Sequence, residues 1–334
     1  MDKTLSYTLR AEDLEKTAGG LVNLILKNCV RVTGHEISAA KFLPDGITCD
    51  GRLIHVSERM KPGQTLSVRL PEERDGTKLV ATPGTVRILY EDEDLIAVDK
   101  AAGEVVHPCP GHYMDTIANH LTWYLQEKQK REGMNELPDA SGLRIIGRLD
   151  KETSGVLVFA RNRAAAARLQ KQRQEGVFVR TYLAVCEGSF PAKERCGTID
   201  RDMEKIPGVL MKMRTCERGM RAVTHYEVLA EEQGLALVRF HIETGRTHQI
   251  RVHMASVGHP LYGDTLYGTK TGEEDQTQQV KSMPEGVGEG CGHALLHAVS
   301  VTCRQPFTGE VLNIVSELPE EFLERFPDAA EPIR

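Results

Sequence analysis

The order of strand-like and helix-like runs constrains this chain more than any other feature. From Val86 onward, short apolar or alternating runs follow one another across turns, with few helices between them. Val86 to Leu89 and Leu95 to Val98 flank the acidic turn Glu91 to Asp94. Val156 to Ala160 and Phe178 to Cys186 are strand-length, and Tyr226 to Leu229 faces Leu235 to Ile242 across Gly234. Parallel strands need a long crossover, usually a helix, whereas antiparallel strands can be joined by turns. A chain that largely omits crossovers reads as α+β, with a mainly antiparallel mixed β-sheet flanked by helices and loops. The predicted helices are Thr116 to Gln129, Ala164 to Glu175 with Gly176 as its stop, and Thr247 to Val257 ending at Gly258.

The first 78 residues read as a small separate α/β module. Leu14 to Leu26 has apolar residues near helical spacing, and Gly46 to Ile54 reads as a strand, an Asp-Gly turn and a returning strand. Lys61-Pro62-Gly63 precedes a strand at Leu66 to Leu70, and the charged stretch Pro71 to Lys78 is the linker. The second, larger domain is expected to span 79–318. Residues 130 to 142 read as a polar loop, and 269–292, rich in Gly, Glu and Gln, as a flexible insertion. Residues 319–334 read as an acidic C-terminal tail. At roughly 150 residues per domain, a length of 334 agrees with two folded units.

Composition excludes some functions. No apolar stretch approaches the roughly 20 residues of a membrane span, and the N-terminus has no apolar signal core. The eight cysteines contain no C-x-x-C pair, so the expectation is free thiols in a cytoplasmic protein. His107, Cys109 and His112 are the densest group of metal-ligating side chains, but no second ligand pair follows at a typical spacing, so no metal is expected. The net charge of −6 argues by itself against a nucleic-acid partner. The charge is uneven, however. Residues 141 to 185 hold nine Lys or Arg against three acids, and residues 270 to 334 hold five against twelve. The basic segment, with Arg168, Lys171 and Arg173 on its helix, is the part able to release counterions from a polyanion.

That segment carries the strongest local feature, Gly147 to Gly155, which sets Asp150 between Arg148 and Lys151 just before an apolar strand. Two cations favour the ionised carboxylate, a candidate nucleophile or base, although an Asp that caps a turn has the same look. Thr244 to His253 places two Arg and two His at a helix start, which suits an anion, while the five-residue spacing of His248 and His253 does not suit zinc. Arg180-Thr181-Tyr182 puts a phenol on a strand.

Residues 86 to 312 resemble the RluA family of RNA pseudouridine synthases. Six motifs match in order: Leu89 to Lys100 with Ala102-Gly103 and His107-Pro108; Arg-Leu-Asp-x-x-Thr-Ser-Gly at Arg148 to Gly155; Tyr182; Gly219, Ala222 and Thr224; Thr244 to His253 with His259-Pro260 and Gly263-Asp264; and Leu296-His297-Ala298. Two positions depart from the pattern: Gly147 stands where many members have His, and Ala101 where most have Pro. The resemblance implies isomerisation of uridine to pseudouridine in RNA, with no cofactor and no metal. It makes Asp150 the catalytic carboxylate, either attacking the nucleotide or removing a sugar proton. It also implies that Arg251 pairs with Asp150, that Tyr182 stacks on the uracil and Leu296 lines its pocket, and that Arg148 fills the gap left by the extruded base. The N-terminal module resembles, more weakly, a small ribosomal-protein-like RNA-binding domain whose basic helices are reduced here to Lys16, Lys27 and Arg31. The expected partner is therefore RNA, with ribosomal RNA of the large subunit first and tRNA second, and the protein is expected to act as a monomer away from membranes. The competing readings are an RNA-binding protein with an inactive catalytic domain, and a metal-dependent hydrolase.

Overall fold

The computed structural model describes residues 3–71, 79–133, 143–209, 211–268 and 292–329. Within them the chain builds two large sheets over separate cores. The N-terminal sheet takes β1 (Lys3–Thr8), β2 (Ile47–Cys49), β3 (Arg52–Leu53) and β4 (Thr65–Leu70) in the order β1-β4-β2-β3, antiparallel throughout. Leu66, Val68 and Leu70 alternate inward along β4 and pack on helices α1 (Val22–Asn28) and α2 (Gly34–Ala40) through Ile25, Leu26 and Ile37. The helix expected from Leu14 starts only at Val22, because Ala18, Gly19 and Gly20 take positive φ and turn the chain. Helix α2 went unpredicted, although Thr33 and Glu36 form a reciprocal capping box at its start.

The second sheet begins with β5 (Arg87–Glu91), β6 (Leu95–Lys100), β7 (Arg144–Ile145), β8 (Ser154–Ala160) and β9 (Val179–Glu187). It continues with β10 (Cys196–Asp200), β13 (Val223–Glu232), β14 (Leu235–Ile242), β15 (Leu296–Arg304) and β16 (Val311–Val315). Between β10 and β13, β11 (Asp202–Lys205) and β12 (Met213–Cys216) form a ribbon of their own. The strand order is β10-β13-β14-β9-β15-β8-β6-β5, with β16 beside β15 and β7 beside β8. Its ladders are antiparallel except for β8 with β15, where His297 lies opposite Ser154 and Ala298 opposite Gly155. The mixed, mainly antiparallel α+β architecture is thus the one expected. Strand β8 is buried at every position because it lies inside the sheet and is covered on both faces, which explains its unbroken apolar run. Helices α3 (Ile117–Arg131), α4 (Arg163–Gln174) and α5 (Gln249–Ser256) fall within a few residues of their expected spans.

Three expected segments are not described, and one expectation changes. Most of the 71–78 linker, part of the 130–142 loop and nearly all of the 269–292 insertion lie outside the described residues. The segment read as an acidic tail is packed as far as Ala329. It includes α6 (Glu320–Leu323), and Phe322, Phe326 and Ala329 are buried with Leu183, Leu295 and Val299 while Glu320 and Glu324 face solvent. The four-residue spacing of Leu318, Phe322 and Phe326 is an apolar helical stripe set among acids.

The two cores meet at α4. Arg168 donates to Glu36 Oε1 at 2.7 Å and to the Arg31 carbonyl at 3.1 Å, and its guanidinium lies 4.5 Å above the Phe307 ring. Lys3 pairs with Asp94 at 3.0 Å. Arg168 therefore holds the N-terminal module and is lost from the basic patch in which its sequence position placed it.

Candidate active site

The loop from β7 to β8 is anchored at its centre. Leu149 is buried in the main core with Tyr182, Ile250 and Leu296, while its neighbours Arg148 and Asp150 are exposed and half-buried. Burial of one leucine thus presents the cation and the carboxylate outward on either side. Lys100, at the end of β6, fixes the other half of the loop. Its Nζ donates to the carbonyls of Ala101, Lys151 and Thr153 at 2.7–2.8 Å, and the residue is 1% exposed. Burial lowers its pKa to about 8 against the attraction of Glu104 and Asp150. Gly155 closes the signature. At φ +103 its absent Cβ would sit 2.3 Å from the Ala298 carbonyl oxygen, so only glycine allows β8 to approach β15 there.

Asp150 opens into a cavity of about 290 Å³ that also has Arg148, Tyr182, Leu296 and His248 in its wall. Tyr182 comes from β9 and Leu296 from the start of the neighbouring β15; both are 5% exposed. A larger cavity of about 860 Å³, which shares Leu296, lies against Lys100, Glu152, His297 and Phe322, but neither Asp150 nor Tyr182 reaches it. The smaller cavity is the candidate site, because it gathers four of the five residues singled out in the sequence.

The fifth residue requires a correction. Arg251 on α5 does not bond Asp150. Its Nε and Nη2 clasp Asp264 through two hydrogen bonds of 2.7 Å, and Nη2 lies 3.0 Å from Glu152 Oε2, close enough for an ion pair but without hydrogen-bond alignment. Burial opposes the Arg251 charge, but Asp264, then Glu152 and Asp150, more than restore it, and its pKa is raised. The helix turns Arg251 toward Asp264, and a bidentate carboxylate thirteen residues away outcompetes the loop aspartate. Asp150 therefore feels Arg251 as a nearby charge and not as a bonded partner.

The Thr244–His253 run divides in the same way. Gln249 accepts from Thr244 Oγ1 and the Arg246 N–H and donates to the Val223 carbonyl and Thr224 Oγ1, which pins this loop to β13. His253 is buried between Thr224 Oγ1 and the Arg201 carbonyl. His248 sits in the left-handed region at φ 56, with Nδ1 2.9 Å from the Tyr267 hydroxyl, and burial lowers its pKa. Cys109 and His112 exchange backbone hydrogen bonds across a turn, and His112 pairs with Asp115. Among the described residues no three His, Cys, Asp or Glu side chains are grouped to hold a metal ion.

Two further arginines line the cavity: Arg173, read from the sequence only as part of a basic helix, and Arg180, given no role there. Arg180 Nη2 donates to the carbonyls of Ile146 and Gly147 at 3.0 and 3.1 Å, and Nη1 reaches the Tyr182 hydroxyl at 3.4 Å. The signal was there for Arg180, two residues before Tyr182 and so on the same face of the strand. Nothing local marks Arg173, which arrives from α4.

The site thus holds a carboxylate between cations in a small cleft lined by a phenol and a leucine. The family model described as RNA pseudouridylate synthase matches residues 94–256, which contain Arg148, Asp150, Tyr182 and Arg251. The RNA pseudouridine synthase YlyB of Bacillus subtilis is 34% identical over 85% of this chain and 86% of its own length. The ribosomal large subunit pseudouridine synthase D of Pseudomonas aeruginosa is 33% identical over 85% and 84%. The solved structure of human RNA pseudouridylate synthase domain containing 1 superposes with a TM-score of 0.51 at 26% identity, covering 71% of this chain and 86% of that one. The chain belongs to the RNA pseudouridine synthases. Within them it falls in the RluA family, and it is an isomerase of uridine in RNA.

Proposed function

We propose that the protein converts specific uridines of large-subunit ribosomal RNA to pseudouridine, with Asp150 as the catalytic carboxylate. The observation that carries the assignment is the shared cavity of Asp150, Tyr182, Leu296 and Arg148. Its volume lies at the small end of the roughly 300–1,000 Å³ of ligand pockets, which suits one nucleotide and not a duplex. The target base must therefore leave its stack, at a cost of a few kcal/mol. Arg148, exposed at the rim, fills the gap with a planar guanidinium. Tyr182 and Leu296 bracket the uracil. The bond from C1′ to N1 breaks, the base turns, C5 joins C1′, the C5 hydrogen leaves to solvent as a proton and N1 takes up a proton in its place. Asp150 serves this step either by attacking the nucleotide or by taking a sugar proton. Arg251 is a positioning residue, acting through Glu152, two places beyond Asp150.

The choice of ribosomal RNA is supported by relatives named ribosomal large subunit pseudouridine synthase D, at 32–34% identity. In the N-terminal module, Lys16 is held by Asp13 at 2.7 Å, which supports a weakened RNA affinity there. The test is tritium release from transcripts labelled at uridine C5. The wild type should release tritium from large-subunit ribosomal RNA. Asp150→Asn should release none while still binding it. Turnover by that variant would sink the assignment; release from tRNA alone would move the substrate, and binding without release would make the protein an inactive binder.

A further inference from the structure

The cavity wall holds two guanidiniums that no carboxylate among the described residues neutralises. Arg173 and Arg180 both line the Asp150 cavity, and among the described residues neither has an acidic side chain within ion-pair distance. Arg173 has one weak acceptor, Gln170 Oε1 at 3.3 Å, and Arg180 Nε is buried without any. Their position depends on two glycines. A Cβ on Gly147 would lie 3.1 Å from Arg180 Nη1 and 3.3 Å from Arg173 Cζ, and one on Gly245 would lie 3.3 Å from Arg173 Nη2. A side chain at 147 would occupy the space that the guanidiniums fill. Burial first, and the charge of Arg180 second, pull the Arg173 pKa down. Asp150 lines the same cavity but forms no ion pair with either arginine.

We propose that Arg173 and Arg180, side by side between Gly147 and Gly245, form a subsite for a phosphate of the RNA strand next to the nucleotide held at Asp150. A half-buried pair of like charges is unfavourable until an anion joins it. Planar guanidinium forks match phosphate oxygens in pairs, and phosphate is the anion an RNA strand brings to this cavity. The proposal rests on the RNA-modifying reading of the site. It adds where the backbone of the extruded nucleotide is held.

The test compares wild type, Arg173→Gln, Arg173→Lys and, as a surface-charge control on the same helix, Lys171→Gln. The probe is a short single-stranded RNA containing one uridine, with dissociation constants measured across a salt series. Arg173→Gln should weaken binding about tenfold, the effect of losing a charge-assisted bond. It should also flatten the slope of log K against log salt by about 0.7. Arg173→Lys should recover most of that slope, and Lys171→Gln should fall short of the Arg173→Gln loss. Replacing the phosphate beside the uridine with a neutral methylphosphonate should weaken the wild type and not Arg173→Gln. In the tritium assay the loss should fall mainly on KM. An Arg173→Gln protein with the affinity and salt slope of the wild type, or with those of Lys171→Gln, overturns the subsite. A wild type that releases no tritium instead overturns the reading on which it rests, and the binding series still decides the subsite.

Discussion

Arg251 and the pair Arg173–Arg180 lie around the same loop, residues 146–153, in opposite electrostatic conditions. Arg251 is 3% exposed, clasped by Asp264 and faced by Glu152. Arg173 and Arg180 border open space and meet each other, a phenol and carbonyl oxygens. A neutralised guanidinium has spent its charge inside the protein, so its removal should cost stability. An unneutralised one holds its charge in reserve for a ligand, so its removal should cost binding.

Four experiments, in order of decreasing expected effect, test that contrast. The largest effect belongs to Arg251→Leu, which leaves Asp264 buried without its cation and should lose about 3–5 kcal/mol in urea denaturation. Adding Asp264→Asn should recover part of the loss, and a single variant within about 1 kcal/mol of wild type would show the pair to be dispensable.

Next is His297, buried with Nδ1 2.8 Å from Ser154 Oγ, where burial lowers the pKa from 6.5 to about 4. The unfolded chain then binds the proton more readily than the folded one. Its stabilising contribution is complete above about pH 6.5 and is lost as pH falls toward 4, on the order of 3 kcal/mol in all. Stability curves of the wild type should drop across that window more steeply than those of His297→Asn; parallel curves would remove His297 as the cause.

Arg148→Ala should lower tritium release from a structured RNA about tenfold more than from a short single strand, the equivalent of about 1.4 kcal/mol of help in extruding the base. Equal losses on both RNAs would remove its gap-filling role. The smallest effect is on the fold of Arg173→Gln. Its stability should match the wild type or exceed it by less than about 1 kcal/mol, since the change relieves a like-charge contact. A loss of several kcal/mol there would mean that Arg173 is structural, as Arg251 is.

Much of the architecture was legible because it depends on local patterns. Alternation along β4, the unbroken apolar run of β8 and the turn at Gly234 are each readable within a few residues. Helix α6 was hidden because acids outnumber its apolar stripe in composition, and composition does not record which side of a helix a residue takes. For the site, Asp150, Arg148 and Tyr182 were readable from motif order, and Leu149 acts as the buried pivot between the first two. The partner of Arg251 was not readable. Asp150 and Asp264 were both available in the sequence, and the choice fell to the direction in which α5 presents its side chain.

The sequence by itself determined that the sheet is mainly antiparallel, that a carboxylate sits between cations before a buried strand, and that the basic charge gathers around it. Those properties follow from spacing along the chain. The tertiary structure alone decided which cations remain free. Arg168 is taken up by Glu36 and Arg251 by Asp264, while Arg173 reaches across to Gly147 and Gly245. Whether a charge is neutralised depends on contacts between residues far apart in sequence, and only folding brings those together.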